Sequence, residues 1–349
     1  MLRMKKTLAG LLLVLAFGSA WADVAGPSED FLKAPDRIQW HAGGLYDGRF
    51  EDGTRFQIQL NYPRPASVPK SVALLAEYYW YPKRFTGQVL VLNRTGGSGK
   101  TVQLAVQPDS RVPASESFTI ALAPDMLSGS GTWSAPRLKK QMAFTLQRAI
   151  AYDEVVVQRP APPEALEGEP ERKFTFAAWF PVLGDAGADA WVREQAGRCS
   201  GDLECMNQIQ VRWKSSSLLS LDASVWEYNY MAAHGNGGST TRQYSVDKGR
   251  LTPAGLDAFV DTDPACAAKM TAAIVAQLHA QQLPWANEWA KNAPLTQQWL
   301  KFMPTASGIE FSFDPYEVGP YAQGAPAVFL TRAQLGSCLR SLPAVDQAG

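Results

Sequence analysis

The chain has 349 residues, with 33 Lys and Arg against 33 Asp and Glu, and so carries no formal net charge. That balance gives no basic footprint for nucleic acid and no basic helix of the kind that lies on a membrane surface. The length suffices for two domains, each able to bury its own core.

The first residues, "MLRMKKTLAGLLLVLAFGSAWAD", place Arg3, Lys5 and Lys6 ahead of an apolar run from Leu8 to Phe17, followed by Ala20-Trp21-Ala22. This predicts a secretory signal peptide over residues 1–22, because the apolar run is shorter than the roughly 18 residues of a membrane anchor. Its removal takes away three basic residues and no acidic ones, leaving a mildly acidic protein expected in the periplasm or secreted. Pro, Gly and charged residues interrupt every later apolar run, so no membrane span is expected after cleavage.

Residues 23–158 read as an all-β domain, an antiparallel sandwich or barrel. "GRFEDGTRFQIQLNYPRP", "VALLAEYYWYPKRFTGQVLVL", "TVQLAVQP", "ESFTIALAP" and "KKQMAFTLQR" are short alternating runs separated by Gly, Pro, Asp or Ser. Glu51-Asp52-Gly53 is a hairpin signal. Residues 159–172, "RPAPPEALEGEPER", are rich in Pro and Glu and predict an extended linker.

Residues 173–349 change pattern and predict an α+β domain with an antiparallel sheet and packed helices. "KFTFAAWFPVL" reads as a strand, Asp189 to Gln210 as helical around a cysteine loop, and "VRWKSSSLLSLDASVWEYNYMA" as one or two long strands to which "STTRQYSVD" returns antiparallel. Thr252 and Pro253 suggest the start of a helix, and Asp263 and Pro264 the start of a longer one. "QQWLKFMP" and "GIEFSFDP" pair as strands, followed by a strand at "AVFL" and a short helix through Cys338. In an oxidising compartment the four cysteines predict two bridges, Cys199 with Cys205 and Cys266 with Cys338.

Candidate chemistry is sparse. "RTGGSGKT", Arg94 to Thr101, imitates a phosphate-binding loop, but Arg94 replaces the first glycine and β runs flank it on both sides, so a hairpin loop is expected. The aromatic run Glu77 to Phe85 puts Tyr78 and Trp80 on one strand face, and an exposed Trp80 would suit glycan stacking. His234 with Ser239 or Thr240 and Asp247 lacks the nucleophile elbow of a hydrolase. His41 and His279 have no metal-ligand spacing, and no metal site or cofactor is expected. Glu310, Asp314 and Glu317 supply carboxylates for glycan hydrolysis, yet alternation puts Glu310, Ser312 and Asp314 on one polar strand face with Ile309, Phe311 and Phe313 on the other.

Two stretches together resemble a known family. "YNYMAAHGNGGSTTRQYSVDKGRLTPAGLDAFV" is similar to the pattern Y-x-G-G-A-H-x-N, a strand ending in Asp, a Gly turn and L-x-L-x-x-L-F. "GIEFSFDPYEVGPYAQGAPAVFLTRAQL" is similar to G-I-x-F-x-F-x-P-Y-E-I-x-P-Y-x-x-G followed by a strand and helix. Both belong to a bacterial exported domain family of unknown function, found in the extracellular part of lysozyme-sensing anti-sigma factors and ahead of some peptidoglycan deacetylase domains. The likeness spans about residues 174–339. It implies a non-catalytic envelope protein that recognises a protein ligand, such as a lysozyme-like peptidoglycan hydrolase. Peptidoglycan binding is the alternative, and hydrolysis a third. The residues it marks for ligand contact are His234, Gly235, Asn236, Tyr316, Glu317 and Tyr321, with Trp80 as the glycan-binding candidate.

Overall fold

In a computed structural model, the residues described are 38–40, 44–60, 76–81, 90–96, 101–106, 115–125, 127–150, 152–160, 174–198, 204–228, 232–292, 295 and 300–343. The expected signal peptide 1–22, linker residues 161–172, His41 and Cys199 lie outside them. The chain is mostly β, with a barrel first and a sheet-and-helix part after it.

A short strand β1 (Ile38–Trp40) leads into eight more: β2 (Gly44–Phe50), β3 (Arg55–Leu60), β4 (Ala76–Tyr81), β5 (Leu90–Gly96), β6 (Thr101–Val106), β7 (Glu116–Leu122), β8 (Ser128–Ala135) and β9 (Lys140–Arg148). Each pairs antiparallel with the next, and β9 pairs back onto β2, so β2 to β9 close into a barrel with no free edge. The period-2 pattern sends Phe118, Ile120 and Leu122 of β7 and Met142, Phe144 and Leu146 of β9 inward. Inside, the Phe56 and Phe144 rings meet edge to face at 5.4 Å, with Phe50 and Phe118 against them. The Glu51-Asp52-Gly53 turn forms as expected, with Gly53 at φ 83°.

Strand β8, "SGSGTWSA", is not foreshadowed by its composition. Its place in the wall depends on Gly131: a Cβ there would stand 2.1 Å from the Thr119 carbonyl and 2.6 Å from the Phe144 ring. A glycine that reads as a loop residue is what lets the core phenylalanine close against the strand.

The second part is built on β10 (Asp153–Pro160), β11 (Phe174–Val182), α1 (Ala186–Ala196), β12 (Glu204–Lys214), β13 (Leu218–Tyr228), β14 (Asn236–Asp247) and β15 (Arg250–Ala254). One seven-stranded sheet runs β1-β10-β11-β12-β13-β14-β15. Because β1 pairs with β10, the barrel is inserted between two neighbouring strands of this sheet. Gln57 stitches the two parts, donating to the Asp47 carboxylate at 2.6 Å and to the Lys214 carbonyl at 2.8 Å. Arg159 and Pro160, expected to begin the linker, are instead the end of β10, opposite Phe176 and Phe174.

Helix α1 carries the chain between the parallel pair β11 and β12, with Asp185 capping it through the Gly187 and Ala188 amides. The expected helical stretch to Gln210 stops at Ala196. From Glu204 the chain is a strand, because Cys205, Asn207, Ile209, Val211 and Trp213 alternate inward at period 2. The helix expected from Thr252 is also replaced by a strand. Lys248 and Gly249 both take positive φ, 49° and 82°, making a tight hairpin that folds Arg250–Ala254 back along β14. Pro253 is tolerated there because β15 is the edge strand.

The remainder covers this sheet with α2 (Pro264–Ala280), α3 (Ala286–Asn292), β16 (Phe302–Thr305), β17 (Gly308–Ser312), β18 (Ala327–Thr331) and α4 (Arg332–Leu335). Asp263 caps α2 through the Cys266 amide at 2.8 Å, as its sequence predicts. Strands β16, β17 and β18 form an antiparallel sheet. Cys266 and Cys338 are bridged, tying the start of α2 to the chain beyond α4. Cys205 is also disulfide-bonded and buried, while its expected partner lies outside the described residues. Among the described residues no helix is long and apolar enough to cross a membrane.

Candidate functional site

The two sheets of the second part meet through β14 and β16. The Phe302 carbonyl accepts from Thr241 Oγ1 at 3.0 Å and from the Gln243 amide at 2.5 Å, and the Phe302 amide donates to Thr241 at 3.2 Å. Along β17 the alternation read from the sequence holds. Ile309, Phe311 and Phe313 enter the core against α2 and α3, and the opposite face turns towards the larger sheet. That polar face is partly covered: Glu310 is only 8% exposed, whereas Ser312 and Asp314 are half-buried.

Asp314, Pro315, Tyr316 and Glu317 then make a turn closed by the Glu317 amide on the Asp314 carbonyl at 3.1 Å. Pro315 supplies the fixed φ of the first central position. Tyr316, at φ 71°, occupies the second, where glycine is the ordinary choice. A non-glycine residue in this left-handed region costs of order 1 kcal/mol, and such strain collects at functional positions.

The strained turn is held from below by one lysine. Buried Lys301 reaches Asp314 at 2.8 Å and Glu317 at 2.9 Å. Glu317 also accepts from the Asp314 amide at 2.8 Å, and Asp314 accepts from the amide and hydroxyl of Ser239 on β14, at 2.9 and 3.0 Å. Charge-assisted bonds on both carboxylates fix the turn to the β13–β14 hairpin.

Above it sits an aromatic cluster. His234 stacks on Tyr321 with ring centroids 3.9 Å apart, and Tyr316 stands 5.6 Å from Tyr321. Nδ1 of His234 donates to the Gly235 carbonyl at 2.9 Å, and its Nε2 is within hydrogen-bond reach of the Tyr316 hydroxyl at 3.3 Å. Gly235 lies flat on Trp226, where a Cβ would stand 2.4 Å from the indole, and Trp226 is parallel to Tyr228 at 6.1 Å. Asn236 is exposed beside them, and Tyr316 is 49% exposed.

The fold therefore brings His234, Gly235, Asn236, Tyr316, Glu317 and Tyr321 to one place. Trp80 is elsewhere, in β4 opposite Phe56 of the barrel. A catalytic grouping of His234, Ser239 and Asp247 does not assemble. The Ser239 hydroxyl serves Asp314, and Asp247 ends a strand about 35 Å long by the usual rise per residue. His279 is on α2, against Asn287 at 3.2 Å. Among the described residues no three His, Cys, Asp or Glu side chains are grouped as a metal ion requires.

Sequence reasoning passed over Lys301, Arg212 and Asp222. Burial lifts the carboxyl groups of Asp222 and Glu310, the latter to about 7, with Arg212 opposing both shifts. The only local signal for Lys301 is a single cation inside an apolar strand run.

Residues 257–333 match the model of the DUF3298 family, a protein of unknown function. The matched residues take in α2, α3, the three-stranded sheet, Lys301 and Tyr316, while His234 lies before them. Two solved DUF3298 structures are similar. A family member from Bacteroides fragilis NCTC 9343 is 18% identical over 56% of this chain and 95% of its own, with a TM-score of 0.38. One from Pseudomonas aeruginosa PAO1 is 18% identical over 52% of this chain and 78% of its own, with a TM-score of 0.34. A search of curated proteins found no match.

Proposed function

We propose that this is an exported cell-envelope binding protein, periplasmic or secreted, that recognises a protein ligand through the cluster of His234, Tyr316 and Tyr321. A lysozyme-like peptidoglycan hydrolase is the ligand favoured by the family resemblance of the two motifs that meet there. The observation that carries the reading is Tyr316: a half-exposed aromatic ring kept in a left-handed turn that glycine would occupy without strain. Two carboxylates and a buried lysine maintain that turn, and its hydroxyl is oriented by His234. Exposed aromatic rings with a polar tip are characteristic anchors of protein interfaces.

The test is surface plasmon resonance of the protein, without residues 1–22, against a purified lysozyme, beside sedimentation with insoluble peptidoglycan. Saturable lysozyme binding, weakened about thirtyfold or more by Tyr316→Ala, is expected of an interface anchor. Retention on peptidoglycan with no affinity for the hydrolase would replace this reading with the glycan-binding one, and release of soluble muropeptides would replace it with an enzyme.

A further inference from the structure

The layer between the two sheets contains more acid than base. Asp222 comes from β13, Arg212 from β12, Glu310 from β17, and Lys301 with Asp314 and Glu317 from the ends of β16 and β17. Strand β14 contributes the uncharged Thr241 and Gln243, both bonded to Phe302. Strand β18 places Phe329 opposite Glu310, and α2 reaches Phe329 through Gln277. Asp314 and Glu317 already occupy Lys301, and Asp222 shares the influence of Arg212 with Glu310. Oε2 of Glu310 is buried without a hydrogen-bond partner among the described residues, an arrangement that suits a protonated acid and penalises a carboxylate.

Lys301 stands on the strand face that carries Glu310: its carbonyl accepts from the Ser312 amide, two residues along β17 from Glu310, and Met303, two residues beyond Lys301, is opposite Glu310. Arg212 and Asp222 act on Glu310, while Lys301 and Asp314 act on Asp222. Lys301 is the shared element, since it also holds both carboxylates of the Tyr316 turn. We propose that Glu310, with Asp222 and Arg212, is a proton-sensitive support of the binding site: its proton keeps Lys301 committed to Asp314 and Glu317, and its loss loosens the turn that presents Tyr316. When Glu310 ionises, a further carboxylate enters a layer whose lysine already holds two, and Lys301 is drawn towards it or water enters between the sheets. The acid changes state at about 7, so the site is firm under mildly acidic conditions and loose under alkaline ones. The proposal rests on the binding reading for its purpose, but its test involves no ligand and stands or falls separately.

Three amides report the clamp directly: Ser239 on the Asp314 carboxylate, Asp314 on the Glu317 carboxylate, and Glu317 on the Asp314 carbonyl. Their hydrogen exchange, followed by NMR and corrected for the intrinsic effect of pH, is expected to lose protection about tenfold between roughly pH 6 and pH 8. Glu310→Gln should abolish the change. Asp222→Asn, which removes a neighbouring negative charge, should move its midpoint to lower pH. His234→Gln should leave the midpoint in place. Protection that stays flat in the wild-type chain, or a transition that persists in Glu310→Gln, overturns the proposal, and a transition abolished by His234→Gln reassigns it to the imidazole.

Discussion

Glu310→Gln also makes a quantitative prediction for global stability. Glu310 holds its proton in the folded chain up to about 7, against an ordinary value of 4.5. The folded state therefore binds the proton more tightly, so this group's contribution is fully present below 4.5 and is lost as pH rises through 7. A gap of about 2.5 in pKa, at about 1.4 kcal/mol for each, sets a total loss of about 3–4 kcal/mol. Most of this falls between about pH 5 and pH 8. Glutamine has the shape of the protonated acid and does not titrate. Any cost of burying its extra N–H is the same at every pH and appears as a constant offset. Urea unfolding of both proteins at several pH values should show the variant gaining on the wild type by about 2–3 kcal/mol from pH 5 to pH 8. A stability difference that does not change with pH would refute the assignment of a buried, proton-holding acid.

Other perturbations separate packing from function. Tyr316→Gly relieves the left-handed strain and should raise stability by about 0.5–1 kcal/mol in thermal unfolding, while abolishing ligand binding in the same preparation. Loss of stability with binding intact would mark Tyr316 as structural. Gly131→Ala drives a methyl group into the Thr119 carbonyl and the Phe144 ring, and should cost about 1–3 kcal/mol or more in denaturant unfolding. Removing the Cys266–Cys338 bridge, which spans 72 residues, should cost about 4 kcal/mol, measured by comparing the double serine variant with the oxidised parent. A chain starting at residue 173 lacks β1 and β10 and exposes the edge of β11, so it should aggregate in size-exclusion chromatography. A chain from residue 38 with 44–148 replaced by a short Gly-Ser link should remain monomeric.

Much of this architecture could be read from the sequence wherever one local rule had no competitor. Asp263-Pro264 begins α2 because cap and proline agree with the apolar period that follows. Strands β7 and β9 alternate cleanly because one face of each meets the barrel interior and the other is exposed. Thr252-Pro253 satisfied the same helix-start rule and failed, because two positive-φ residues just before it had already turned the chain back along β14. Strand β8 is decided by the needs of Phe144 and Thr119, neither of which is near it in sequence. The site divides in the same way. His234, Tyr316 and Tyr321 stood out through motif likeness, and the fold brings them together across more than eighty positions. Lys301 shows only as a lone cation in an apolar run, and Arg212 and Asp222 not at all, since a buried charged cluster is defined by partners on other strands.

The insertion of the barrel between β1 and β10 has a mechanical consequence. A domain hung on one linker can turn about any axis, whereas one entered and left through adjacent hydrogen-bonded strands has two fixed points of attachment. With Gln57 as a third contact, pivoting the barrel works against the β1–β10 pairing at the sheet edge. On the proposed binding reading, the barrel wall and the Tyr316 turn would be two fixed points. A partner long enough to touch both would be measured by the protein rather than embraced by it, and would be selected by its dimensions as well as by its chemistry.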